Sequence, residues 1–211
     1  MSMKRLSLLV LTCACASLLA VSNEALAKYE EPVFSVLEKD GAFEIRDYPE
    51  VISAEVTVPG SAKTAANDAF RIIGGYIFGK NVSKKKIAMT VPVTEKVSSE
   101  KIAMTVPVTT DEQEKSMTMR FFMPASYTLE TLPEPLDKRI KFVTLAKARY
   151  AVVRFSGVGS EQNCQQHEKL LQDFMKKKDL RSGERPVRAF YNAPWTLPFL
   201  RRNEIWQKIT P

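Results

Sequence analysis

The chain has 211 residues, 45% of them hydrophobic and 26% charged, with 8 Gly and 12 Pro. Those proportions exclude a disordered, collagenous or coiled-coil protein and leave a globular one with enough length for a single core. A net charge of +7 and a pI of ≈ 9.3 suit anionic partners, either a ligand or a membrane surface. No aromatic-basic motif for nucleic acid is present.

Lys4 and Arg5 precede an apolar run over residues 6–21, and Ala25-Leu26-Ala27 supplies the small residues at alternate positions that a signal peptidase accepts. The run falls short of the roughly 20 residues that cross a bilayer as a permanent helix. Residues 1–27 are therefore expected to be a signal peptide and 28–211 a single domain, exported and periplasmic if the source is bacterial. Cys13 and Cys15 sit in poor context for a lipid anchor. Cleavage removes both and leaves Cys164 alone, so no intramolecular disulfide is expected.

Residues 33–38 and 42–47 are β-rich runs about a Lys39-Asp40-Gly41 turn signal, and 51–58 alternates Ile52, Ala54, Val56 and Val58 with polar neighbours. Together they predict a meander. After Pro59-Gly60-Ser61, residues 62–78 carry Ala66, Ala69, Phe70, Ile73, Tyr76 and Ile77 at helical spacing. Gly74 and Gly75 near the end of this helix suit close approach of another backbone or a flat ligand. The octapeptide IAMTVPVT then occurs twice, at 87–94 and 102–109. Each copy predicts a strand, confined by Pro92 or Pro107 to an edge or a bulge. Met117, Met119, Phe121 and Met123 extend the period-two pattern and give the sheet a Met-rich face.

Leu132-Pro133-Glu134-Pro135 reads as an extended connection. Strands are expected at 140–145 and 149–155, and a second helix at 161–178 places Cys164, His167, Leu170, Leu171, Phe174 and Met175 to one side. Lys176, Lys177 and Lys178 suit its negative C-terminal end. Two more strands, 187–191 and 204–209, finish the chain. The order strand, helix, strand, strand therefore appears twice. Two such units predict an α+β fold, a distorted β-barrel made from a curved antiparallel sheet flanked by two helices, with pseudo-duplicated strand-helix-strand-strand units.

His167 is the only histidine, which excludes zinc or non-haem iron sites built on several imidazoles. Cys164 and His167 lie one helical turn apart and could form an activated thiolate, but their apolar stripe favours core packing. CxxH with one cysteine excludes covalent c-type haem attachment. Non-covalent haem needs an apolar slot and cations for two propionates, with an axial donor optional. Phe70, Ile73, Tyr76 and Ile77 could form one wall. Met89, Met104, Met117 and Met119 are flexible fillers that could ligate iron, though core packing is the favoured reading of them. The runs 84–86 and 176–178, all Lys, read as solvated surface or as anion clamps. In YNAPWTLPFLRRNEIW (191–206), the favoured reading is a rigid segment that staples the last strand, with Arg201 or Arg202 paired to a carboxylate or a carbonyl end. The other reading is one lip of a ligand cleft.

IAMTVPV after a helix ending YIFGKN, then MRFFMP, the Leu-Pro-x-Pro connection, AVVRFSG (151–157) and YNAPWTLPFLRRNE together resemble the SOUL haem-binding protein family over about 29–209. The resemblance implies a distorted β-barrel flanked by two helices, similar to effector-binding domains of the gyrase-inhibitor type, and non-covalent tetrapyrrole binding in a hydrophobic cleft beside the first helix. The haem-binding candidates are Phe70, Arg71, Ile73, Gly74, Tyr76, Ile77, Lys80, Met89 and Met104. Some family members place more than one basic side chain on the first helix, and some an axial histidine near it. Here Arg71 is the only base between Lys63 and Lys80, and no histidine lies there. Haem affinity is then expected to rest on burial, with Arg71 or Lys80 on a propionate. The expected function is an exported, non-enzymatic carrier or scavenger of haem or a related porphyrin. The alternative is a scaffold or partner-binding module of the same fold that binds no haem, and chemistry through Cys164 and His167 ranks last.

Overall fold

The structure is a computed structural model that describes residues 29–60, 62–83, 99–112 and 116–210. The expected signal peptide over residues 1–27, the first octapeptide with Met89, and Lys84 to Lys86 lie outside the described residues.

Two antiparallel strands open the fold, β1 (Ser35–Asp40) and β2 (Phe43–Tyr48), joined through Gly41 at φ +58°. A third strand, β3 (Val51–Pro59), follows two residues later but pairs with neither. The expected meander is thus corrected. A two-residue hairpin loop needs positive φ at its centre, and Pro49 is locked near −65°, so the chain crosses to the other half of the sheet instead. The same happens after β8 (Lys141–Leu145), which pairs with β3, while β9 (Ala148–Phe155) pairs with β2.

Helix α1 (Ala62–Ile77) follows β3, then come the two-residue strand β4 (Asn81–Val82), β5 (Val108–Glu112), β6 (Ser116–Phe122) and β7 (Glu134–Pro135), which pairs with β4. Helix α2 (Glu161–Lys177) follows β9 and is succeeded by β10 (Val187–Phe190) and β11 (Asn203–Lys208). The nine-stranded sheet runs β1-β2-β9-β11-β10-β5-β6-β3-β8. About the central β10–β5 pairing, β9-β11-β10 mirrors β5-β6-β3, and each half carries the helix that follows its first strand. The duplicated strand-helix-strand-strand plan and the curved α+β sheet expected from the sequence are both present. The strand expected over the second octapeptide begins only at Val108, after Pro107, which has no N–H to give a ladder.

Each helix covers its own half of one face of the sheet. Ala65, Ala69, Ile72, Ile73, Tyr76 and Ile77 of α1 pack with Ala54, Val56, Met117, Met119 and Phe121. The apolar stripe is rotated from the expected one, leaving Phe70 51% exposed. The Met-rich face is core. On the other half, Cys164, Leu171, Phe174 and Met175 of α2 pack with Ile45, Ala151, Val153, Phe155 and Ile205. Ser160 caps α2 by accepting from the Asn163 N–H. Arg188 on β10 ties α2 to the sheet through Glu112, Glu161 and Glu168, each at 2.7 Å. No helix among the described residues is long and apolar enough to cross a membrane.

Candidate functional site

Alternation along each strand sends every second side chain to the face away from the helices. There the curled sheet encloses a cleft of about 930 Å³, lined from eight strands by residues that include Tyr48, Thr109, Asp111, Arg120, Phe122, Lys147, Tyr150, Arg185 and Trp206. The volume lies at the upper end of the range for small-molecule pockets. Trp206 anchors an aromatic cluster, with ring centroids 5.0 Å from Tyr48, 5.9 Å from Tyr150 and 6.1 Å from Phe122.

Trp206 is fixed by a buried carboxylate two residues earlier. Its indole Nε1 donates to Glu204 Oε2 at 2.7 Å. Glu204 also accepts from Arg46 Nη1 and Nη2 at 2.9 and 3.1 Å, Tyr191 OH at 2.7 Å and Arg202 Nε at 2.9 Å. Burial alone would raise its pKa. The Arg46 guanidinium, joined by Arg202 and the Tyr191 hydroxyl, outweighs burial and holds the carboxyl below its usual range. Arg202 is further paired with Glu31 and stacked over Tyr191.

The rim is basic. Arg120 pairs with Glu55 at 2.6 Å and Lys208 with Glu184 at 2.6 Å. Among the described residues, Arg185 donates to the Glu112 carbonyl alone and Lys147 has no carboxylate partner. Burial raises the Asp111 carboxyl despite nearby Arg120 and Arg185. Thr109, 1% exposed, lines the same cleft, and its Oγ1 has no hydrogen-bond partner among the described residues. Such an orphan hydroxyl marks a place for a water or a ligand atom.

A second depression, about 470 Å³, lies beside α1 between Arg71, Ile72, Tyr76, Lys80 and the segment 136–140. It gathers Arg71, Lys80, Lys138 and Arg139. Arg71 pairs with Asp68 at 2.9 Å, and Arg139 holds the Asp137 carboxyl down to about 2 by hydrogen bonding. Lys80 reaches across the helix where Gly75 leaves room, since a Cβ there would stand 3.1 Å from Lys80 Cδ.

Of the residues singled out from the sequence, Arg71, Tyr76 and Lys80 meet in this basic groove. Ile73 and Ile77 are turned into the core, Gly74 is buried, and Met104 is half-buried against the core. Phe70 stands in solvent on the helix's outer face. Tyr76 gives its hydroxyl proton to the Pro133 carbonyl at 3.0 Å. The sequence pattern did not point to the larger cleft, nor to Lys138 and Arg139. Cys164 and His167 do not form an activated pair: burial pushes the thiol up to about 11, His167 stacks on Phe155 at 4.0 Å, and its Nδ1 engages the Asn163 carbonyl at 2.8 Å. No cluster of three or more His, Cys, Asp or Glu able to hold a metal occurs among the described residues.

Curled sheet, paired helices and aromatic cleft define an α+β domain of distorted-barrel type with a pocket of small-molecule size. The family model described as SOUL heme-binding protein matches residues 29–208, and the chain belongs to that family. It is 27% identical over 193 residues to human heme-binding protein 2, covering 89% of each chain, and 26% identical over 170 residues to the mouse protein of that name, covering 79% of this chain and 77% of the other. Among solved structures it is similar in fold to the EcmrR C-terminal domain, with TM-score 0.53 at 10% identity, covering 84% of this chain and 98% of that one. A hydrolase from Listeria innocua gives TM-score 0.52 at 16% identity, covering 82% and 94%.

Proposed function

We propose that the protein is an exported, non-enzymatic carrier or scavenger that binds haem or a related porphyrin without covalent attachment. Family membership and the names of the human and mouse relatives support the ligand class. The signal-peptide pattern over residues 1–27 supports export.

The observation that carries the reading is the large cleft itself, where a pocket of about 930 Å³ combines aromatic walls with, among the described residues, an unpartnered buried hydroxyl and two cations without carboxylate partners. The residues fit the group. Tyr48, Phe122, Tyr150 and Trp206 would cover the macrocycle, and Lys147 and Arg185 would hold propionates. Among the described residues, no His, Met or Cys lines the cleft. Burial pushes the Tyr48 and Tyr150 phenols up, so both are neutral in the free protein at neutral pH. Affinity then comes from burial and propionate pairing rather than from an axial bond.

The groove beside α1 carries a second reading, because Arg71, Lys80, Lys138 and Arg139 converge there on space for an acidic group. Titration with hemin separates the two. Saturable Soret change near roughly one equivalent, weakened by Lys147→Ala with Arg185→Ala and unaffected by Arg71→Ala with Lys80→Ala, supports the cleft. The reverse pattern places haem beside the helix, and no saturable change favours a scaffold that binds no haem.

A further inference from the structure

The β10–β11 connection contains the most exposed large apolar side chain among the described residues, Trp195, and three more beside it. Trp195 is 85% exposed, Leu197 56%, Phe199 71% and Leu200 63%. Large aromatics normally bury wherever the fold allows, so the staple expected from the sequence is corrected on this point. The segment is nonetheless held firmly. Thr196 N–H donates to the Ala193 carbonyl at 3.0 Å, Leu200 to Leu197 at 2.9 Å, and Arg201 to Pro198 at 3.1 Å. Gly157 N–H, from the turn after β9, donates to the Pro198 carbonyl at 2.9 Å. The Arg201 guanidinium closes the loop from inside by donating to the carbonyls of Thr196 and Pro194. Arg202 N–H is received by Asn192 Oδ1 at 2.6 Å. Pro194 and Pro198 fix two further φ angles. Turning the aromatics outward is thus a property of an ordered loop.

We infer that this loop is a membrane-docking element that inserts Trp195, Leu197, Phe199 and Leu200 into the interface of an anionic phospholipid bilayer. A contiguous apolar patch on an ordered surface marks an interaction site, and charge and shape decide the partner. Residues 191–202 contain no acidic side chain. Among the described residues Arg201 is bonded to carbonyls alone, with no carboxylate against it, and the whole chain is basic at +7. Anionic headgroups complement that field. Trp195 stands almost free of the body of the protein. A bilayer interface receives such a side chain without a matching pocket, and Trp favours that boundary because its ring is apolar and its N–H polar. The docking element is separate from both ligand pockets, so the inference does not depend on haem binding.

The test uses the protein with vesicles of phosphatidylcholine containing about 30% phosphatidylglycerol. The expected result is co-sedimentation, a blue shift of tryptophan emission and quenching by brominated acyl chains. Trp206 is already buried, so Trp195 is the reporter. Trp195→Ala with Phe199→Ala, both on the surface and away from the core, should weaken vesicle binding about tenfold or more. Arg71→Ala with Lys80→Ala should leave it nearly unchanged. Absence of co-sedimentation, binding that survives loss of both aromatics, or an emission spectrum that does not move overturns the inference. A dimer abolished by the same two substitutions also overturns it, by assigning the loop to a second copy of the chain.

Discussion

Replacing Glu204 by Gln perturbs the buried centre that orients Trp206. The side chain keeps its shape, one oxygen becomes a donor, and the negative charge shared by Arg46 and Arg202 disappears. Breaking a buried ion pair from one side costs about 3–5 kcal/mol. Here Arg46 keeps Glu44 at 2.8 Å and Arg202 keeps Glu31 at 3.0 Å. The expected loss is therefore at the low end, about 3 kcal/mol, or a fall in Tm of roughly 6–12 °C for a domain of this size. Urea unfolding at neutral pH, followed by tryptophan fluorescence, measures it. The pH dependence supplies a second check. The Glu204 carboxyl is depressed below 4.5 in the folded protein, so its contribution is present above that value and is lost as pH falls through the folded pKa. The gap between wild type and Glu204→Gln should close in acid. A difference below about 1 kcal/mol at neutral pH, or a gap that persists into acid, would refute the account of the buried network.

Thr109→Val removes the orphan hydroxyl at nearly constant shape. It should leave the free protein as stable or up to about 1 kcal/mol more so, while weakening porphyrin binding several-fold if the ligand uses that hydroxyl; unfolding and Soret titrations read the two effects. Asp111 has a raised carboxyl pKa, so the folded state holds its proton longer than the unfolded one and this site's contribution falls as pH rises from 3.8 through the folded value. Asp111→Asn should accordingly be more stable than wild type at neutral pH, with the gain vanishing below 3.8, as urea midpoints across pH will show. Cys164, buried and pushed up to about 11, should resist DTNB at pH 8 until the protein unfolds; rapid native labelling would contradict the packing described for α2.

Most elements were legible because their periodicity is local. The α1 and α2 spans, the first three strands and the last two lie within a few residues of the boundaries read from the chain. Strand order was less accessible, since β3 leaves β2 through non-local pairings with β6 and β8 that no local pattern specifies. The phase of α1 misled at Phe70: counting apolar spacing included it in the stripe, whereas Ala65, Ile72 and Ile73 fill the narrow gap against Met117 and Met119. Arg201 and Arg202 behaved as their neighbourhood suggested, one capping carbonyls and the other holding carboxylates. The aromatics before them, Trp195 and Phe199, turned outward instead. Arg71 and Lys80 were visible as candidate cations, but Lys138 and Arg139 arrive from nearly 60 residues away. The large cleft was hidden for the same reason: its walls come from eight strands whose neighbours are set only by the assembled sheet.

The central claim is that the porphyrin lies against Trp206 in the curled face of the sheet. Two-dimensional NMR of ¹⁵N-labelled protein titrated with zinc protoporphyrin tests this directly through the two indole N–H signals. Ring-current shifts of Trp206 that saturate together with the Soret band, while Trp195 stays still, are predicted; a saturating Soret band with Trp206 unmoved would place the macrocycle elsewhere.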